Sequence, residues 1–237
     1  MTRCFAAVMT VALGVGFPHV VQAQTGGWKT VAPGVQRREL RALGNAGGNH
    51  RVWLYKPTVI PGKAKVRTVL IAAAGSKMFN GVPLGSGDVP EHLPYAKAGF
   101  AVIAYETDGT LSGDGEASII AAAKAFTASK GGINNAKAAL DAVLPVAAFV
   151  DRKHIYAVGH SSAATLALSV AAEDMRIAGC VAYAPQPDIP DYLGNFTGFL
   201  NKSVPGSRRM IYEVSPTRTR TGYASPFFCF IRKMIRW

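Results

Sequence analysis

The sequence predicts an α/β protein, a mostly parallel sheet with helices on both faces. Val66 to Ala74, Phe100 to Tyr105 and Ala178 to Ala184 are near-continuous apolar runs, the pattern of strands buried on both faces. Stretches with helical spacing separate them, and strands alternating with helices build parallel sheets through crossover connections. With 237 residues, 49% of them apolar, the chain can bury one sizeable core and has little room for a second domain.

Residues 1–23 read as a signal peptide. Arg3 supplies a positive start, Cys4 to Phe17 an apolar stretch, and Val21-Gln22-Ala23 a small-residue cleavage site. A membrane anchor fits less well, because the run is short for a bilayer and Pro18-His19 interrupts it. The chain is therefore expected to be exported, periplasmic or secreted, with no stable membrane insertion after the signal is removed. Residues 24–216 are expected to form the core, and 217–237 an aberrant basic tail.

Thr25 to Asn49 is Gly-rich and mixed, and reads as irregular with one edge strand at most. Arg51 to Tyr55 alternates and stops at Lys56-Pro57, as a half-exposed strand does. The strand at Val66 to Ala74 stops at Gly75-Ser76. Pro90 to Ala98 predicts a short helix closed by Gly99. After the strand ending at Tyr105, Glu106 to Gly115 is a loop rich in Asp, Gly and Ser. Helical spacing follows over Glu116 to Ser129 and over Ile133 to Phe149, with Pro145 placed to kink or shorten the second. His154 to Val158 predicts a strand, Ala164 to Ala172 a helix, and Ala178 to Ala184 a last buried strand. Gln186 to Val204 shows no pattern that converts into a substrate pocket. A sheet ending at that last strand would leave a long apolar edge without a partner.

Charge argues against nucleic acid as a partner. The net charge is +12, but half of it lies from Ser207 onward, where Arg208, Arg209, Arg218, Arg220, Arg232, Lys233 and Arg236 face one acid, Glu213. The remainder is mildly basic and has no stripe of interleaved basic and aromatic residues. Three cysteines give no disulfide framework: Cys4 lies in the signal segment, Cys180 reads as a core residue, and Cys229 lies in the tail.

Chemistry enters at Gly159-His160-Ser161-Ser162-Ala163, between the His154 to Val158 run and the small-residue helix. Strand, Gly-x-Ser-x-Ala turn and helix in that order make a nucleophile elbow. The sharp turn lifts a serine hydroxyl above the sheet, and small residues on either side keep strand and helix from clashing. An ordinary helix-capping serine is the plainer alternative.

With that elbow, the strand ending in Gly75-Ser76, the Gly99 to Tyr105 strand and the Val181 to Pro185 strand end, the chain resembles the α/β-hydrolase superfamily. The resemblance is nearest to its dienelactone hydrolase and prolyl oligopeptidase catalytic-domain branch, and covers about Arg51 to Pro185. It implies that Ser161 is the nucleophile of a serine hydrolase, acting on esters or amides of small molecules or peptides through an acyl-enzyme. It further implies that Ser162 lends its backbone N–H to an oxyanion hole whose second donor lies around Gly75 and Ser76. Here Ala73-Ala74-Gly75 stands where relatives carry a His-Gly-Gly type turn. No metal or organic cofactor is implied.

A serine becomes a useful nucleophile when a histidine takes its proton and a carboxylate orients that histidine. The superfamily order is Ser, then Asp or Glu, then His. No histidine follows Ser161. Among the acids that do, Asp188 and Asp191 follow the last buried strand, and Asp188 is the candidate alternative acid. His160 adjoins the nucleophile, but neighbours on so sharp a turn point apart, so it reads as packing the turn. His92 reads as a loop histidine and His154 as a surface residue at a strand start. Asp108 and Asp114 read as solvated loop acids near the expected mouth of the site, with contact to substrate as the alternative.

The tail suggests a reason for the missing base. Read one nucleotide earlier, codons compatible with Pro226 to Trp237 permit Pro-Val-Phe-Leu-Phe-His-Pro-Glu-Asp-Asp-Ser-Val, a strand ending in acids. A frameshift near residues 217–222, leaving a fold incomplete at its C-terminus and an inactive serine hydrolase, is the expectation. The alternatives are a genuine basic tail that docks on a membrane or partner, and a non-catalytic hydrolase-like binding protein that keeps the pocket.

Overall fold

The computed structural model describes residues 26–44, 48–218 and 229–232. The expected signal segment, and the tail apart from Thr217, Arg218 and residues 229–232, lie outside the described residues. Eight strands form one sheet: β1 (Lys29–Ala32), β2 (Val35–Leu43), β3 (Asn49–Pro57), β4 (Val66–Ala72), β5 (Ala101–Tyr105), β6 (Val150–His160), β7 (Ile177–Tyr183) and β8 (Cys229–Arg232). Their order is β1-β2-β3-β5-β4-β6-β7-β8. The pairs from β5 to β8 are parallel, and those from β1 to β5 are antiparallel.

Burial on both faces explains the apolar runs. In β5, Ala101, Ile103 and Tyr105 enter one core, while Val102 and Ala104 enter the other. In β4, Leu70 and Ala72 divide from Val69 and Ile71 in the same way. The larger core lies under α2 (Glu116–Ala128), α3 (Ile133–Val143) and α4 (Ser162–Glu173). Three short helices extend it: α5 (Ile189–Leu193), α6 (Phe196–Ser203) and α7 (Ser207–Val214). The opposite face is covered by α1 (Val89–Lys97), through Ala96 and Leu93. Helices therefore flank both faces, unequally.

Four segments bear on the expectations. Thr25 to Asn49 holds a hairpin, β1 and β2, turning through Gly34 at φ +74°. β2 buries Val35, Leu40 and Ala42, while Arg37 lies over the Trp53 ring and Arg38 over Trp28, so charged residues stand at half-buried positions of the strand. α3 stops at Val143, two residues before Pro145, whose ring and missing N–H end the helix. Residues 186–204 hold α5 and α6, with Phe196 of α6 packed on Phe79 and Phe199. Finally, the β7 edge has a partner. β8 pairs with it from Cys180↔Cys229 to Tyr183↔Arg232. The exposed surface is instead a face of β7, where Val181 and Tyr183 are 42% and 37% exposed beside Val158 of β6.

Candidate active site at the β6–α4 turn

β6 ends at His160 and α4 begins at Ser162, leaving Ser161 alone in the turn. Its backbone sits at φ 55°, ψ −123°, a region that costs a non-glycine residue about 1–3 kcal/mol. The surroundings hold it there. The Ser161 N–H donates to the Tyr183 carbonyl at 2.9 Å, and the Ser161 carbonyl accepts from the N–H groups of Ala164 (3.0 Å) and Thr165 (3.2 Å). A Cβ on Gly159 would lie 2.3 Å from the Ala163 carbonyl and 2.6 Å from the Ala164 nitrogen. Ser161 itself is exposed. Among the described residues, no hydrogen bond reaches its hydroxyl.

The loop after β4 approaches the next residue along. The N–H groups of Gly75 and Ser76 donate to Ser162 Oγ at 2.9 and 3.0 Å. Gly75 adopts φ +110°, which glycine allows and which turns the two consecutive amides onto one oxygen. The loop is braced beyond that point. Ser76 Oγ donates to the Asn80 carbonyl at 2.5 Å and accepts from the Met78 N–H, while the Lys77 N–H donates to Asn80 Oδ1. A cavity of about 30 Å³, room for one water, lies beside Ser162, lined also by Ser76, Phe126, Thr165, Leu166 and Ser169.

Asp188 stands elsewhere in this geometry. Its carboxylate caps α5 by accepting from the Asp191 N–H at 3.1 Å, and Arg218 approaches it at 3.3 Å. These contacts, the Asp191 N–H first, hold its carboxyl below the usual range. His160 is half-exposed, 3.5 Å from Glu91 of α1 and tilted against the Tyr183 ring. His154 is a surface residue bonded to Asp151 at 2.6 Å.

Two of the sequence readings are corrected. His92 is no loop histidine: it is fully buried on α1, with Nδ1 3.2 Å from the Tyr55 hydroxyl, and burial pulls its pKa down to about 4. Asp108 is no solvated acid, whereas Asp114 is exposed. Asp108 is buried, with Oδ2 accepting from Asn135 Nδ2 at 3.0 Å and its N–H donating to Asn135 Oδ1. His50 Nε2 lies 3.1 Å from its other oxygen without hydrogen-bond alignment. Sequence reasoning passed over His50, Asn135 and the Ser162 side chain. Each acts through a partner remote in the chain, and no local pattern marks such contacts.

No protein-family model matches the sequence, and no curated protein does. Solved structures do match its fold. The acetyl xylan esterase of Paenibacillus sp. R4 superposes with a TM-score of 0.59 at 12% identity, covering 90% of this chain and 82% of that one. Prolyl oligopeptidase B of Galerina marginata gives 0.59 at 13% identity, over 84% of this chain and 28% of its own. Oligopeptidase B of Leishmania major gives 0.57 at 16% identity, over 78% and 26%. The chain thus spans most of the esterase and under a third of these two peptidases. It has the α/β-hydrolase fold found in the esterase and in the catalytic domains of prolyl oligopeptidases.

Proposed function

We propose that this fold serves as a serine hydrolase, with Ser161 attacking the carbonyl of an ester or amide in a small molecule or peptide. The observation that carries the reading is an exposed serine held at φ 55°, ψ −123° between a parallel strand and a helix. A serine that merely capped α4 would need no such backbone. In the reaction, Ser161 Oγ bonds to the carbonyl carbon and charge gathers on the carbonyl oxygen. Collapse expels the alcohol or amine, and water then releases the acyl group. The Ser162 N–H, first in α4 and without an intrahelical acceptor, is a donor for that oxygen, while the Gly75 and Ser76 amides, expected as the second half of the hole, are engaged by Ser162 Oγ.

The attack also requires a base for the Ser161 proton, and no histidine follows Ser161 in this sequence. Turnover by this polypeptide is accordingly expected to be low, the residue of binding and oxyanion stabilisation. We attribute the gap to a frameshift that replaced residues 217–237 with a basic tail, in a protein exported after loss of residues 1–23. Sequencing the encoding DNA tests this part. An open minus-one frame running into a strand and helix with a histidine supports it, and a closed frame rejects it.

The nucleophile is tested with a fluorophosphonate probe on a restored-frame protein that carries the base, with the label located by peptide mass spectrometry. Labelling at Ser161, lost in Ser161→Ala, is the expected result. A folded sample that takes no label at Ser161 favours a binding protein that keeps the fold without the chemistry.

A further inference from the structure

The Gly75 and Ser76 amides do not point into open space. Both donate to Ser162 Oγ, at 2.9 and 3.0 Å. We infer that the Ser162 hydroxyl is a catalytic donor, carrying the stabilising effect of these two amides to the oxyanion formed on Ser161's substrate. The inference rests on Ser161 being the nucleophile and adds a residue role to that reading.

A hydroxyl has one hydrogen to give and two lone pairs to share. Both lone-pair directions of Ser162 Oγ are taken by backbone donors, so its hydrogen is directed along the one remaining tetrahedral direction. Accepting two N–H bonds also polarises the O–H and makes it a stronger donor. The same residue offers its backbone N–H, unpaired at the start of α4. One side chain and its own amide thus form a two-pronged clamp next to the nucleophile.

Several features fix that clamp. Ser162 is 5% exposed, so its hydroxyl is held by protein. Gly75 at φ +110° turns the amide pair inward, and the bonds from Ser76 Oγ to Asn80 and from the Lys77 N–H to Asn80 Oδ1 brace the loop behind it. An alanine at 162 would leave two amides aimed at an empty position. A hydroxyl there lets the loop stay closed and keeps one hydrogen to donate.

The experiment compares second-order fluorophosphonate labelling of Ser161 in the parent chain, Ser162→Ala and Ser162→Thr. Labelling forms the Ser161 Oγ–phosphorus bond, expels fluoride and releases the serine proton to solvent, while the phosphoryl oxygen occupies the oxyanion position. Circular dichroism checks each fold, and Ser162→Cys replaces the alanine variant if that one does not fold. We expect Ser162→Ala to label at least tenfold more slowly and Ser162→Thr, which keeps the hydroxyl, to recover most of the rate. Labelling of Ser162→Ala at the parent rate or faster overturns the inference, since the amides would then serve directly. Equal losses in both variants overturn it too, because they would report packing alone. No label at Ser161 in the parent and in a restored-frame protein alike rejects the nucleophile itself, a different failure, and label in the restored frame alone moves the same three-way comparison to that protein.

Discussion

Gly159 and Ala163 are in backbone contact: a Cβ on the glycine would sit 2.3 Å from the alanine's carbonyl carbon and oxygen. Neither group can move cheaply, because Ala163 lies in the first turn of α4 and Gly159 is paired with Ala182 of β7. One methyl group therefore has to push strand and helix apart. Gly159→Ala is expected to cost about 3 kcal/mol or to prevent folding. Urea denaturation measures it, and a loss under about 0.5 kcal/mol would show that the contact is softer than its geometry.

Ser161 makes the complementary case, a strained residue at the centre of the proposed site. Its φ of 55° with ψ −123° is open to glycine and unfavourable for serine. Ser161→Gly is expected to raise stability by about 1 kcal/mol while abolishing fluorophosphonate labelling. Thermal melts and the probe together read both effects. A variant less stable than the parent would mean that the serine hydroxyl stabilises the turn and that the backbone carries no strain.

His92 and Tyr55 predict a pH dependence unrelated to the site. Burial, and then the nearby Arg37 charge, lower the His92 pKa from 6.5 to about 4. In the unfolded chain the ring gains a proton near pH 6.5, while in the folded chain it resists until about pH 4. Its contribution is therefore intact above pH 6.5 and drains away as pH falls towards 4, by up to about 3 kcal/mol. His92→Phe, which has no proton to gain, should flatten this part of the profile, so the gap between parent and variant narrows with acid. Parallel profiles between pH 7 and 4 would refute it.

The elbow was legible in sequence because its demands are local. A glycine two residues before Ser161 and an alanine two after are what a strand meeting a helix requires, whatever the rest of the chain does. β4 and β5 were legible for a related reason: both faces are buried, so nearly every position is apolar. β2 was obscured by Arg37 and Arg38, whose guanidinium groups cover Trp53 and Trp28 and so behave as packing groups while reading as charge. His92 and Asp108 were misplaced because their partners, Tyr55 and Asn135, come from other elements. The same holds for Ser162, read as a backbone donor when its hydroxyl also receives the Gly75 and Ser76 amides.

The turn leaving α4 supplies the last prediction. Asp174 is buried behind Arg176, which donates Nε to Oδ1 at 2.9 Å and Nη2 to Oδ2 at 2.6 Å, and whose N–H also bonds Oδ1. Burial alone would raise the Asp174 carboxyl, but these Arg176 bonds outweigh it and hold the carboxyl below its ordinary 3.8. Arg176 also reaches Asp141 of α3 at 2.5 Å, so the pair joins α3 to the α4–β7 turn. The carboxylate thus contributes stability in full above its unfolded pKa and loses it as pH falls through the lower folded value. Asp174→Ala leaves Arg176 with one exposed partner, and the expected cost at neutral pH is about 1–3 kcal/mol. Asp174→Asn keeps the shape but loses the charge, and should recover part of that. The difference between parent and Asp174→Asn should shrink in acid, since protonating the carboxylate removes the charge that the variant already lacks. A difference that stays constant down to pH 2 would assign the effect to packing.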